Sequence, residues 1–374
     1  MIQKIINFYK IDFQRERIYG FDIIRFFAIV SVLYGHGTLI TKPAEGSLEK
    51  SLLFLDGVFV FFILSGFLIG QLLIHTIENK EVNKKTLVSF WKKRLLRTLP
   101  AYYFVLIILI VLSLITIKGF GNIKTLSYFV FIQNFYTEHP FFFTEAWTLS
   151  IEIWFYLFVP LTIFLFKIYL KLSDKKAILY SIFIFITFGF LVRWYRCLNL
   201  QHIDGTVIDF VFRKQVVTRI GSVTFGLLGS YIYRYYNNIW SNFKYLFLTI
   251  GIAIFYYTVN PLFEEGKFYR LVLFYDLQSI SFLLMLPYFS TLKNGKGIVY
   301  EIITTLSYAS FSIYLINLNI VQVFFLDKID LIQYLGIYYI PIKYFLFIFF
   351  SVTGGIFMYK KIELPFMNMR QKIS

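Results

Sequence analysis

Arg25 and His36 stand eleven residues apart in the apolar run FDIIRFFAIVSVLYGHG (21–37). On a helix, eleven steps of about 100° return to within about 20° of the starting face and climb about 16 Å. One helix face would then carry a permanent cation and a titratable base. An imidazole with its usual pKa near neutrality suits general-base work on a hydroxyl. A guanidinium fork suits phosphate or carboxylate oxygens. Plainer roles exist for each: an interfacial anchor for Arg25, and a helix-packing hydrogen bond for His36.

Three further segments hold ionisable residues beside apolar runs. In SFWKKRLLRTLPAYYF (89–104), Arg94 and Arg97 are three apart and therefore neighbours on a helix. They could clamp a phosphate or touch lipid headgroups. In AWTLSIEIWFYLFVP (146–160), Glu152 lies among Trp147, Trp154 and Tyr156. A carboxylate there could orient His36 and raise its basicity, or bind a sugar. Arg219 in VVTRIGSVTFGLLGS (216–230) is a further ion, beside glycines that permit close helix approach. His75, His139 and His202 show no metal-ligand spacing, so no metal is expected.

These residues need a scaffold. The 374-residue chain is 58% hydrophobic and only 16% charged, against about 25% charged in soluble domains. Disorder is excluded, because disorder requires low hydrophobicity. A single cysteine, Cys197, excludes an intrachain disulfide framework. The net charge of +16 reads as basic loops facing anionic lipid rather than nucleic acid.

Runs of roughly 20 apolar residues are long enough to cross a bilayer. They fall near 21–40, 52–74, 100–117, 150–168, 177–195, 214–236, 244–260, 271–290, 301–326 and 336–359. The least marked are 214–236 and 301–326. The stretch 126–136 is apolar but too short to cross. The expected fold is all-α: a polytopic membrane helical bundle of about ten transmembrane helices, with no separate soluble domain. Residues 1–20 and 360–374 are expected as tails flanking one transmembrane domain, 21–359. Residues 1–20 lack the apolar core of a secretory signal. Loops at 75–99, 167–176, 234–244 and 291–300, with both tails, carry roughly twice the Lys and Arg of the opposite set. That excess places both termini in the cytoplasm, which an even number of crossings allows. The Arg-rich stretch 193–214 runs against this bias.

Taken together, the segments resemble the acyltransferase family 3 membrane proteins, which O-acylate bacterial surface glycans. The first helix is similar to the family's helix with Arg, ten residues, then His. GVFVFFILSGFLI (57–69) resembles its second-helix block GVDLFFVLSGFLI. FWKKRLLRTLPAYYF resembles its basic RxxR-and-Pro segment, and AWTLSIEIWFYLFVP its WSLSVEEQFYLLLP. TRIGSVTFGLLG resembles a later Arg-to-Gly helix, and SYASFSIYLIN (307–317) the family's SYSLYLWH. Phe59 occupies the acidic position of the second-helix block, with Asp56 three residues earlier. Ile153 replaces the second residue of the glutamate pair, and Asn317 stands where the late helix usually has histidine.

The resemblance implies transfer of an acyl group, most often acetyl, from cytoplasmic acyl-CoA to a glycan hydroxyl at a bacterial plasma membrane. Arg25, Arg94 and Arg97 would hold CoA phosphates, and His36 would act as base or as an acyl-carrying nucleophile. Glu152 would orient His36 or bind the sugar. Trp147, Arg219 and Asn317 would contact substrate, with Arg219 facing the thioester oxyanion. Acyl-CoA is thus a donor substrate rather than a resident cofactor, and membrane lipids are the other expected partners. A transporter, flippase or polymerase of lipid-linked glycans is the alternative. The acceptor, the acyl group and the oligomeric state are not legible in the sequence.

Overall fold

A computed structural model describes residues 9, 11, 17–42, 56–116, 123–260, 266–329 and 335–371. Most of the expected tail at 1–20, the last three residues of the expected tail at 360–374, and the first residues of the span expected at 52–74 lie outside them. The described residues form helices and connecting turns, with no strand. Ten long helices follow one another. They are α1 (Tyr19–Thr41), α2 (Gly57–Asn79), α3 (Lys84–Thr116), α4 (Ala146–Ile168) and α5 (Asp174–Asn199), then α6 (Val216–Tyr235), α7 (Lys244–Val259), α8 (Gly266–Phe289), α9 (Gly297–Lys328) and α10 (Gly336–Met369). Eight of them are long and apolar enough to cross a membrane; α6 and α7 are the exceptions. The chain is an all-α polytopic membrane bundle.

The weak hydropathy of α6 has a packing cause. The helix is wrapped by its neighbours, and nearly every residue from Val216 to Tyr231 is buried. Its polar side chains therefore need partners inside protein rather than lipid. Thr218 Oγ1 donates to Phe212 O at 2.9 Å, Thr224 Oγ1 to Ile220 O at 2.9 Å, and Ser230 Oγ to Phe67 O at 2.5 Å. Close approach to α2 depends on facing glycines. A Cβ on Gly66 would lie 2.0 Å from Val223 O, and one on Gly226 would lie 2.2 Å from Ile63 O. Small residues let two helix backbones touch in this way where lipid supplies no hydrophobic drive.

Two of the three arginines that ran against the loop bias, Arg193 and Arg196, are not loop charges but lie in α5. Arg193 is fully buried in α5 and grips Asp276 of α8 through Nη2 at 2.6 and 2.7 Å, while its Nη1 donates to Thr218 O at 2.6 Å. Arg196 donates to Gln215 Oε1 at 2.6 Å and to Val211 O at 2.8 Å. Both tie α5 to its neighbours.

The short apolar stretch at 126–136 forms a 3₁₀ turn, Ile123–Val130, followed by a loop folded against α4 and α6. Asn134 Nδ2 donates to Trp147 O (3.0 Å) and Lys214 O (2.6 Å), and Asn134 O accepts from Val216 N at 3.0 Å. This loop fixes where α4 and α6 begin, and so where the side chains at their N-termini point.

Candidate active site

Arg25 and His36 do project from one face of α1, into two adjoining cavities. The first, of about 120 Å³, is lined by Arg25 of α1, Ser65 of α2, Arg94 and Arg97 of α3, and Glu152 and Tyr156 of α4. The second, of about 440 Å³, is lined by His36, Asp56, Thr144, Glu145, Trp147, Arg213, Lys214 and Leu318. Val58 and Tyr314 line both and form the wall between them.

The arginine cavity holds three guanidinium groups and one carboxylate. Glu152 Oε2 accepts from Tyr156 OH at 2.7 Å, and Ser65 Oγ lies 2.7 Å from the same hydroxyl. Trp91 Nε1 donates to Tyr156 O at 3.0 Å. Arg25 lies 3.9 Å from Asp22, which also pairs with Arg17 and accepts from Ser307 Oγ at 2.7 Å. Arg97 and Arg25 both act electrostatically on Glu152. The cavity keeps an excess of positive charge beside the apolar side chains of Phe61, Phe62, Leu64 and Leu149. That pattern suits a ligand with anionic groups and an apolar arm.

The partner of His36 is Asn317, not the glutamate expected from sequence. His36 Nδ1 lies 2.5 Å from Asn317 Oδ1. The Asn317 amide nitrogen is already committed, donating to Tyr314 O at 2.7 Å and Ile313 O at 3.2 Å. Its oxygen therefore faces the imidazole as an acceptor, so Nδ1 carries the proton and Nε2 the lone pair. Asparagine cannot titrate, yet it sets the tautomer. Glu152 sits in the other cavity, among arginines. The wall of Val58 and Tyr314 stands between it and His36.

A residue not singled out from sequence holds Asn317 in place. At Asn317 the α-helical part of α9 (Gly297–Ile316) passes into a π-helical segment, Asn317–Phe325. A change of helix type frees backbone N–H groups, and buried ones must find other acceptors. Glu145, just ahead of α4, supplies them. Its Oε1 accepts from Leu318 N (3.0 Å) and Asn319 N (2.9 Å), and its Oε2 accepts from Asn319 Nδ2 (2.6 Å). Burial pushes the Glu145 carboxyl up to about 7, while the Asn319 and Leu318 donors pull the other way. The sequence offered one signal: an acidic residue directly before the AWTLS block.

The remaining charge in the histidine cavity is paired. Arg213 bridges Asp56 at 3.1 Å and Asp209 at 3.0 Å, and its guanidinium lies 5.2 Å from the Trp147 ring centre. Lys214 Nζ lies 2.5 Å from Asp209. Burial works against the Asp209 carboxylate, but Arg213 and Lys214 outweigh it and hold it below its usual range. Asp56 also caps α2, accepting from Val58 N at 3.0 Å. His139 is buried, which lowers its pKa to about 4, and its Nε2 lies 2.9 Å from Phe143 O.

Arg219 lies apart from both cavities. It is fully buried, with its guanidinium carbon 4.1 Å from the Phe59 ring centre, 4.6 Å from Tyr275 and 5.5 Å from Phe62. Its Nε and Nη1 have no hydrogen-bond partner among the described residues. Aromatic rings enclose it, and it is absent from the lining of either cavity. Phe59, the departure from the acidic pattern of the second helix, is one of those rings.

A family model described as an acyltransferase domain matches residues 18–360. The O-acetyltransferase OatA of Staphylococcus aureus (strain NCTC 8325 / PS 47) is 32% identical over 174 residues, covering 41% of this chain and 27% of that protein. Nodulation protein 10 of Rhizobium leguminosarum bv. viciae is 30% identical over 167 residues, 38% of this chain and 43% of that protein. The peptidoglycan O-acetyltransferase OatA of Listeria monocytogenes serovar 1/2a is 25% identical over 173 residues, 42% of this chain and 26% of that protein. The match thus spans about a quarter of the length of the first of these relatives. No solved structure matches the chain.

Proposed function

The chain belongs to the acyltransferase family whose domain spans residues 18–360, and from that premise we propose that it is a membrane O-acyltransferase using acyl-CoA and a glycan hydroxyl. The acyl group is acetyl, as in the names of its OatA relatives. One observation carries this reading. A base with a defined lone pair, His36, faces one cavity, and a cluster of three guanidinium groups faces the next, across a wall of Val58 and Tyr314.

The arginine cavity faces the cytoplasm, in line with the basic loop 75–99. Arg25, Arg94 and Arg97 hold the CoA phosphates there. The apolar lining takes the pantetheine arm, which passes Tyr314 to bring the thioester beside His36. The acceptor sugar occupies the histidine cavity, against Trp147. His36 Nε2 takes the proton from the attacking hydroxyl as its oxygen bonds to the thioester carbonyl carbon. The C–S bond then breaks, and the leaving thiolate receives that proton from the imidazolium. Asn317 holds Nδ1–H throughout, and Glu152 keeps the arginine cluster from repelling itself apart.

The test is acyl transfer and acyl-CoA binding measured on the purified protein. His36→Ala should remove transfer and leave acyl-CoA affinity near normal. Arg94→Ala should weaken acyl-CoA binding about tenfold or more. Transfer by His36→Ala at the wild-type rate overturns the base assignment, and an unchanged affinity in Arg94→Ala overturns the donor site.

A further inference from the structure

A third cavity, of about 330 Å³, runs between α1, the start of α2 and α8. It is an open groove in the side of the bundle: Phe27 and Val30, on its lip, are 63% and 41% exposed. Its floor includes Val60 and Ile63 of α2, and its far wall is Phe282, Met285 and Leu286 of α8. Three residues, Ser31, Asp56 and Gly57, line both this groove and the histidine cavity. None of its lining residues is shared with the arginine cavity.

We infer that this groove holds the hydrocarbon tail of a lipid-linked acceptor, and that the sugar reaches His36 from the side, out of the membrane. The inference rests on the proposed function and narrows its acceptor to one class: a glycan carried on a single long hydrocarbon chain. Three observations support it. The polarity is graded, from apolar walls to the carboxylate and hydroxyl at the end that opens beside His36. The groove is closed at the opposite end, where α1 and α8 meet so tightly that a Cβ on Gly20 would lie 1.9 Å from Phe289 O. An occupant must therefore place its head at the His36 end. The length also fits. From Ile24 to Tyr34 the groove follows ten residue steps of α1, about 15 Å of helix, which is half of a hydrocarbon core of roughly 30 Å. It runs from the His36 end past the middle of α1 (Tyr19–Thr41) towards Gly20. A donor chain arriving from the arginine cavity has no shared wall through which to enter it.

The experiment is photo-crosslinking of the full chain in nanodiscs of phosphatidylethanolamine and phosphatidylglycerol. The probe is a polyprenyl phosphate with a diazirine in its tail, and adducts are mapped by mass spectrometry. Adducts should concentrate on 24–34 and 282–289. Unlabelled polyprenyl phosphate should compete at least tenfold better than phosphatidylglycerol at equal mole fraction. Val60→Trp, which fills the floor, should cut adduct yield about tenfold while acyl-CoA affinity stays unchanged. Val30→Trp on the exposed lip gives the same readout if Val60→Trp fails to fold. Adducts spread evenly over other lipid-facing helices, or equal competition by phosphatidylglycerol, overturn the inference. Acyl-CoA affinity in the same nanodiscs is a separate readout, so failure of the donor site is distinguishable from failure of the groove.

Discussion

His36 Nδ1 lies 2.5 Å from Asn317 Oδ1, and the other end of that amide is spent on two carbonyls of the helix that carries it. The asparagine cannot turn over without facing its oxygen to Tyr314 O and Ile313 O. It therefore acts as a one-way acceptor. This keeps the basic nitrogen of the imidazole pointed at the cavity without needing a second titratable group.

Replacing Asn317 tests that logic. Asn317→Leu should lower kcat roughly tenfold or more, a fraction of the 10²–10⁴ that a general base contributes, with KM for both substrates little changed. Asn317→Asp keeps the acceptor, so it should retain more activity than the leucine variant. It should also move the acidic limb of the pH–rate profile upward, because a carboxylate favours imidazolium. Equal rates in the two variants would show that tautomer control is not what Asn317 supplies.

Tyr314 separates the two cavities and is anchored at its hydroxyl, which donates to Glu145 O at 3.1 Å and accepts from Thr148 Oγ1 at 3.0 Å. In the proposed reaction, a partition of this kind would keep water from the thioester until the acceptor arrives. Tyr314→Ala should raise acceptor-independent CoA release several-fold while lowering transfer. Tyr314→Phe, which keeps the ring, should show a smaller effect. CoA release assayed with and without glycan measures both.

Glu145 gives a stability signature. Its pKa is raised, by burial, from the ordinary carboxylate range to about 7. The folded state therefore binds the proton more tightly than the unfolded chain. The stabilising contribution is complete below the unfolded pKa, near 4.5, and is lost as pH rises through about 7. Thermal stability in detergent should fall across that window, by no more than about 1.4 kcal/mol per pH unit for one group. Glu145→Gln should flatten the slope. A slope that persists unchanged in Glu145→Gln assigns it to another group.

Phe59 and Arg219 give a prediction in the opposite sense. The guanidinium is stacked on Phe59 and Tyr275 away from both cavities. A desolvated cation–π contact is worth about 2 kcal/mol. Phe59→Leu should lower the melting temperature accordingly, yet leave kcat and KM near wild type at a permissive temperature. A selective loss of kcat without loss of stability would return Arg219 to the reacting groups.

Much of the bundle was legible because its signals are local. Helices appear at each of the ten expected positions, eight of them long and apolar enough to cross a membrane, since a run of apolar residues must become a helix when no water is available to its backbone. The shared face of Arg25 and His36 followed from helical pitch alone. The family was legible in the order of its short blocks, and the match over residues 18–360 bears it out. The loop charge count was misled by Arg193 and Arg196, because counting cannot tell a loop cation from one that bonds inward to Asp276 or Gln215.

Pairings across the bundle were decided only by tertiary structure. Glu152 and Asn317 both carry groups able to engage an imidazole, and nothing in their spacing from His36 ranks one above the other. The choice depends on where α9 changes helix type, and that depends on Glu145, 172 residues before Asn317 in the chain. Enclosure of Arg219 by Phe59 and Tyr275 likewise joins three helices far apart in sequence. Local periodicity fixes what each helix offers on its faces. Which faces meet is set by close contacts such as Gly66 against Gly226, and by buried polar pairs that form across them, such as Arg193 with Asp276.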